Sequence, residues 1–185
     1  MDVLQRVRRA PERLLHPLRR RKVLEGLRGR RKPSRVVVVC YGNICRSPVA
    51  ALLLGRELAK HGVEVQSAGL VGFNRPSPDD AVAVAQDHHV DLSTHRSRLL
   101  TADVVRAADV LLVMDSVQQR QICERFGRLP GDVMLLGDFD PEPVDGRTIL
   151  DPLDQGRDVF QRVYSRIARC VREFGRAFGG RDLAP

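Results

Sequence analysis

Four consecutive valines, Val36 to Val39, run directly into Cys40-Tyr41-Gly42-Asn43-Ile44-Cys45-Arg46-Ser47-Pro48. An unbroken β-branched run suits a parallel strand covered on both faces, because a strand with one wet face would alternate. Gly42 and Asn43 tolerate the positive φ that a tight loop needs. Ser47 is a good N-cap, and Pro48 is pre-set for the first helical position. Strand, tight loop and helix start together predict backbone N–H groups converging beside a helix N-terminus, which makes an anion site.

The loop also carries chemistry. Cys40 and Arg46 enclose five residues. N–H donors around a thiol favour its thiolate, which is the nucleophilic form. Arg46 offers a planar fork of donors matching two phosphoryl oxygens. Ser47 can donate its hydroxyl to the sulfur, as thiolate and later as leaving group. Cys-x5-Arg alone arises by chance; the strand before it and Ser-Pro after it set this one apart.

The chain has 185 residues, enough for one α/β domain and an appendage. No apolar run approaches the roughly 18 residues needed to span a membrane, and no signal-peptide core follows the basic N-terminus. A cytoplasmic protein is expected, peripheral at a membrane if the arm binds one. Four cysteines, two of them in the loop, do not form a secreted disulfide framework, and no Cys/His spacing suits zinc. His88-His89 reads as a solvated helix end. No metal or cofactor is expected.

The net charge of +8 is uneven: residues 1–35 hold 13 Lys/Arg against three acids, and the remainder holds 18 against 20. The basicity therefore belongs to an arm, residues 1–34, expected to be flexible or partly helical. Val3, Leu4 and Val7 fall at helical spacing, as do Leu14, Leu15 and Leu18, but Pro11 and Pro17 should interrupt any long helix. Four readings stay open: a solvated tail, a helix on anionic lipid or an acidic partner, a nucleic-acid arm, and an upstream mis-start. The third is disfavoured because no aromatic residue offers stacking, so no specific nucleic acid is expected.

Patterning predicts strands at Arg35–Cys40, from Val63 to Gly69, at Val110–Met114 and at Val133–Leu136. Helices are expected at Val49–Lys60, Asp79–Asp87, after Thr101 to Ala107, and from Ser116 to Phe126, where Ser116 and Gln119 make a capping-box pattern. Gly127 ends the last of these. A helix from about Gln155 to Phe178 carries an apolar stripe through Phe160, Val163, Ile167, Val171, Phe174 and Phe178. Cys170 lies on or beside it and reads as core. The loop 70–78 should reach the carboxyl end of the sheet, with Phe73 as a cleft wall or a packed aromatic. Four strands with intervening helices give a three-layer α/β sandwich.

The string VCYGNICRSP resembles the phosphate-binding loop of the low-molecular-weight protein tyrosine phosphatases. Ser67-Ala68-Gly69 and Asp91-Leu92-Ser93-x-His95-Arg96 resemble family segments, the latter in a structural role. Asp151-Pro152 before the last helix resembles the family's general-acid loop, with Asp154 the nearest rival. The resemblance spans about residues 35–178 and implies a phosphatase domain at 35–180, followed by a tail at 181–185. It implies a parallel sheet in the order 2-1-3-4 and a two-step reaction. Cys40 attacks phosphorus, Arg46 and the N–H groups of Tyr41, Gly42, Asn43, Ile44, Cys45, Arg46 and Ser47 hold the oxygens, and Asp151 protonates the leaving group. Asn43 holds the loop shape. A reversible disulfide between Cys40 and Cys45 is favoured by the resemblance, beside the plainer reading of Cys45 as a small loop residue.

The implied substrate is a tyrosine-phosphorylated protein. In bacteria, family members often oppose tyrosine kinases of polysaccharide export. Arginine phosphatases of the family tend to carry threonine where this chain has Ile44, which leans toward phosphotyrosine. Thiol-dependent arsenate reductases share the fold but need further cysteines, and Cys123 and Cys170 form no close pair. A non-enzymatic scaffold working through the arm is disfavoured by the intact Cys40, Arg46 and Asp151. Many of the tyrosine phosphatases have Tyr after Asp-Pro, where this chain has Leu153. One aromatic wall is then missing, and Tyr41 or Phe73 is left to supply it.

Overall fold

In the computed structural model, which describes residues 3–179 and side chains from Glu12 onward, four strands form one parallel sheet. They are β1 (Arg35–Cys40), β2 (Glu64–Gly69), β3 (Val110–Val113) and β4 (Val133–Leu135), in the order β2-β1-β3-β4. Central β1 pairs with β2 from Arg35↔Glu64 to Cys40↔Gly69, and with β3 from Val36↔Val110 to Val39↔Val113. The expected fold and strand order are those observed.

The valine run is explained by two cores. Val36, Val38 and Cys40 face a large cluster with α2 (Arg46–Leu58), α3 (Asp79–Asp87) and α6 (Arg157–Gly179). Val37 and Val39 face a smaller one with α4 (Ala102–Ala107) and α5 (Ser116–Phe126). Both faces of β1 are dry, so alternation is lost, as parallel sheets require. The α6 stripe is buried as expected, and Tyr164 joins it. Cys170 lies in the large core and Cys123 packs on the small one, so the sheet separates them.

Several local expectations shift. Helix α2 starts at Arg46, with Cys45 rather than Ser47 at the N-cap. Pro48 is thus the third helical residue, tolerated because the first four helix N–H groups have no intrahelical acceptor anyway. Gly42 does not take a positive φ; Asn43 does, at 51°. Asp115, not Ser116, caps α5, accepting from the Gln118 N–H at 2.8 Å. Gln119 is turned away to the Val133 and Pro130 carbonyls. His88 is half-buried edge-on to Tyr164, not a solvated helix end.

The largest difference is the arm. Val3–Arg28 is a single helix, α1, and Pro17 lies within it. Proline removes one helix bond at that point, but Pro17 is exposed, where water can satisfy the freed carbonyl. The helix is seated on the body. Leu27 is fully buried, and Val23 and Leu24 pack on the large core. Arg20 pairs with Glu173, and Arg30 donates to Asp132 at 2.8 Å and to the Gly131 carbonyl at 2.5 Å. The spacing noted at Val3, Leu4 and Val7, and the tail 181–185, lie outside the described side chains.

Candidate active site

The register of the sheet brings the carboxyl end of β1 beside that of β2, and the loop 40–46 emerges there. Cys40 is buried at the loop's base, with Sγ 3.0 Å from Ser47 Oγ. The Asn43 N–H donates to Sγ at 3.2 Å. Ser47 is fully buried and receives the Asn43 amide at 2.8 Å. Its own proton then has Sγ or, at 3.4 Å, the Ala68 carbonyl to meet. The serine expected to cap the helix instead serves the thiol.

Asn43 is the loop's internal brace, fully buried in the left-handed region. Its amide also donates to Ser67 Oγ at 2.9 Å, and its Oδ1 accepts from the Arg98 N–H at 2.8 Å. His95 Nε2 donates to its carbonyl at 2.7 Å. Burial holds the His95 imidazole below the usual histidine range, against the pull of that bond. Two segments noted only for their likeness thus acquire a physical role. Gly69 belongs to the same brace, because a Cβ there would stand 3.0 Å from Asn43 and from the Gly42 carbonyl carbon. The helix start is fixed from below by Tyr164, whose hydroxyl donates to the Cys45 carbonyl at 3.1 Å.

Arg46 is buried to 3 % exposure on the first turn of α2. One guanidinium nitrogen donates to the Ile149 carbonyl at 3.1 Å, and another pairs with Asp151. Its Nε is buried with no hydrogen-bond partner among the described residues. No protein acceptor takes the N–H groups of Ile44 and Cys45 among those residues either. A tetrahedral oxyanion above Sγ suits this donor set: a guanidinium, a helix start, and loop N–H groups in a water-poor recess. Asp151, 105 positions from Arg46, reaches the same mouth and is half-exposed there. Its rival Asp154 sits in an exposed turn at φ 59° and makes no described bond to the site.

Cys45 is buried beside Cys40, and its thiol is pushed up to about 12, chiefly by burial and then by the charges on Cys40 and Asp151. All four cysteines are free. Tyr41 and Phe73 are exposed, Phe73 at 76 %, so it is no packed core aromatic. Leu153 is 37 % exposed. Arg75 lies against Gly72 and Gly42 at the rim.

Sequence patterning missed the support of the Asp151 loop. Asp138 and Asp140 carry that support, and Asp140 Oδ1 also accepts from the Glu142 N–H at 3.3 Å. Asp138 is held by Arg147 at 2.8 and 2.6 Å, and Asp140 by Arg166 at 3.0 Å and Arg169 at 3.2 and 3.3 Å. Tyr164 and His16 were also unmarked. Their partners are 119 and 124 positions away, and no local signal points to them.

The profile of the low molecular weight phosphotyrosine protein phosphatases matches residues 35–180. The chain belongs to this family, whose members are phosphoric monoester hydrolases. It is 36% identical over 146 residues to the low molecular weight protein-tyrosine-phosphatase Etp of Escherichia coli K12, covering 78% of this chain and 95% of Etp. The crystal structure of the tyrosine phosphatase amsI of Erwinia amylovora superposes with a TM-score of 0.70 at 32% identity, covering 78% of this chain and 93% of that one. The YwlE arginine phosphatase of Geobacillus stearothermophilus gives 0.71 at 29% identity, with coverages of 82% and 96%. All three matches leave part of this chain uncovered, and the family profile begins at residue 35, after α1.

Proposed function

We propose that this chain hydrolyses phosphotyrosine in proteins through a cysteinyl-phosphate intermediate. The observation that carries the reading is the convergence of Cys40, Arg46 and Asp151 on one mouth, with Ser47 and Asn43 aimed at the sulfur. Cys40 attacks phosphorus in line. The Arg46 guanidinium and the N–H groups from Tyr41 to Ser47 hold the equatorial oxygens while charge redistributes. Asp151 gives its proton to the departing phenolate oxygen. It then takes a proton from a water that displaces Sγ, and Ser47 stabilises the leaving thiolate. The polar partner is a tyrosine-phosphorylated protein, with a bacterial tyrosine kinase of polysaccharide export as the proposed physiological one. Ile44 and the exposed aromatics Tyr41 and Phe73 favour an aryl ester over phosphoarginine, with Phe73 taking the wall that Leu153 does not supply.

Peptides carrying phosphotyrosine, phosphoserine and phosphoarginine test this. Phosphotyrosine turnover is expected, abolished by Cys40→Ser and slowed by roughly 10²–10⁴ in Asp151→Ala. Preference for phosphoarginine would overturn the substrate and leave the mechanism; no turnover by reduced protein would overturn both.

Cys45 is proposed as redox partner. Peroxide oxidises Cys40 to the sulfenic acid, and the Cys45 thiol displaces water to form the disulfide. An unchanged free-thiol count after mild peroxide would exclude it. No helix among the described residues is long and apolar enough to cross a membrane. A cytoplasmic enzyme held peripherally at anionic lipid is proposed for the arm, because Leu14 and Leu18 stand exposed on α1 beside Arg21 and Lys22. Equal vesicle binding after charge reversal at Arg21 and Lys22 would remove that proposal.

A further inference from the structure

Helix α1 lies outside the matched family region, yet it meets the body at the segment that leads to Asp151. Asp140, where that segment begins, is fully buried. Its carboxylate is taken by Arg166 and Arg169, and its backbone carbonyl accepts from His16 Nε2 at 2.8 Å. His16 itself is only 3 % exposed. Arg166 continues from Asp140 to the Gly146 and Thr148 carbonyls, at 2.8 Å each. Arg13 of α1 lies 3.7 Å from Asp145 in the same segment. Immediately after Thr148, Ile149 donates to the Met114 carbonyl at 2.8 Å and accepts from Arg46 at 3.1 Å. Asp151 follows two residues on, beside Arg46.

A helix merely stowed on the surface needs apolar burial, and Val23, Leu24 and Leu27 provide that. It does not need a buried imidazole aimed at a backbone carbonyl of a distant loop. We infer that α1 is a positioning element for the general acid: His16 fixes Asp140, and through Arg166 sets where Asp151 stands when it protonates the leaving group. The inference rests on Asp151 being that acid. Without the His16 donor, the Asp140 carbonyl is buried and unpaired, so the segment shifts to find water. The Cys40 loop has its own braces in Asn43, His95 and Tyr164, and the Ile149 end that Arg46 touches is pinned at the end of β3 through the Met114 carbonyl, so phosphate binding does not depend on His16. Proton delivery suffers, and it suffers most where the leaving oxygen most needs a proton.

The test uses the full chain and single-turnover release of phenols from aryl phosphates of graded leaving-group basicity. His16→Leu is expected to slow phenyl phosphate about tenfold, since small misplacements of a catalytic group are costly. A dinitrophenyl ester, whose phenolate leaves unprotonated, should slow less than about twofold. Competitive inhibition by inorganic phosphate should not change. His16→Gln, which can place an N–H near the same carbonyl, should recover most of the loss. The double variant with Asp151→Asn should be no slower than Asp151→Asn alone. If His16→Leu does not fold, His16→Asn, polar but too short, should show the same graded loss. A uniform loss across the series, weakened phosphate inhibition, or additive losses in the double variant would overturn the inference. If Asp151→Asn itself is graded while the His16 variants are uniform, only the inference falls; if Asp151→Asn is uniform, the acid assignment falls and takes the inference with it.

Discussion

Residues 40–47 are held first by bonds among their own atoms and to the neighbouring strand, whereas residues 138–151 lean mainly on side chains from the helices α6 and α1, with Arg147 an internal tie. In the first, Asn43, Ser47 and Cys40 bond one another, and Ser67 and Gly69 close the back. In the second, the ties are Arg166 and Arg169 from α6, His16 from α1, and Arg46 from the catalytic loop itself. The proposed nucleophile and anion cradle therefore have a short-range framework of their own, to which His95, Arg98 and Tyr164 add outer ties. The proposed proton donor, Asp151, is placed mainly by long-range contacts and depends on how α6 and α1 pack.

The strongest way to break this contrast is Arg166→Met. It keeps the buried aliphatic stem but leaves Asp140 with less compensation and frees the Gly146 and Thr148 carbonyls. Removing one partner of a buried pair costs about 3–5 kcal/mol, and Arg169 remains to reduce that, so a loss near 3 kcal/mol in denaturant unfolding is expected. Activity on phenyl phosphate should fall further than phosphate binding. Equal losses in both would mean that the two loops are one mechanical unit, and the contrast would fail.

Gly69→Ala attacks the other side. The new methyl meets Asn43 and the loop backbone at 3.0 Å, and neither can rotate away. Overpacking of this kind costs about 1–3 kcal/mol. It should weaken inorganic phosphate inhibition and slow every aryl phosphate alike, because it moves the cradle and not the acid. Loss confined to poor leaving groups would contradict that placement.

The same contrast explains what could be read from the chain. The valine run, the loop and α6 are local patterns, and strand order, burial and the apolar stripe of α6 followed them. Cys40, Arg46 and Ser47 were legible because a contiguous loop carries them. The Ser47 cap was misplaced because a serine at a helix start has two employments, and the thiol took it. The prolines in α1 suggested interruption because propensity cannot know that Pro17 faces solvent while Leu27 and His16 face the body. Asp138 and Asp140 went unmarked because their partners lie up to 29 positions away. Nothing in residue spacing joins an aspartate to an arginine on a helix not yet packed.

The smallest expected effect is a pH slope to which the brace of the Cys40 loop contributes through His95. His95 is held below the usual histidine range by burial first, and then by Arg98 and Arg96, while its bond to the Asn43 carbonyl works the other way. The unfolded chain, with histidine near 6.5, therefore binds more protons than the native one as pH falls. Its contribution to stability is complete above about pH 6.5 and is lost as pH drops from there through the depressed native value. His88, also lowered chiefly by burial, adds a slope of the same sign from the α3 end. His95→Gln can keep a donor for Asn43 but cannot take up the proton. Urea midpoints at pH 7.5 and pH 5 should therefore converge more closely in His95→Gln than in the parent chain. If His95→Gln retained the full parental slope, protonation of the imidazole would not be what strains the loop, and the brace on Asn43 would be purely one of hydrogen bonding.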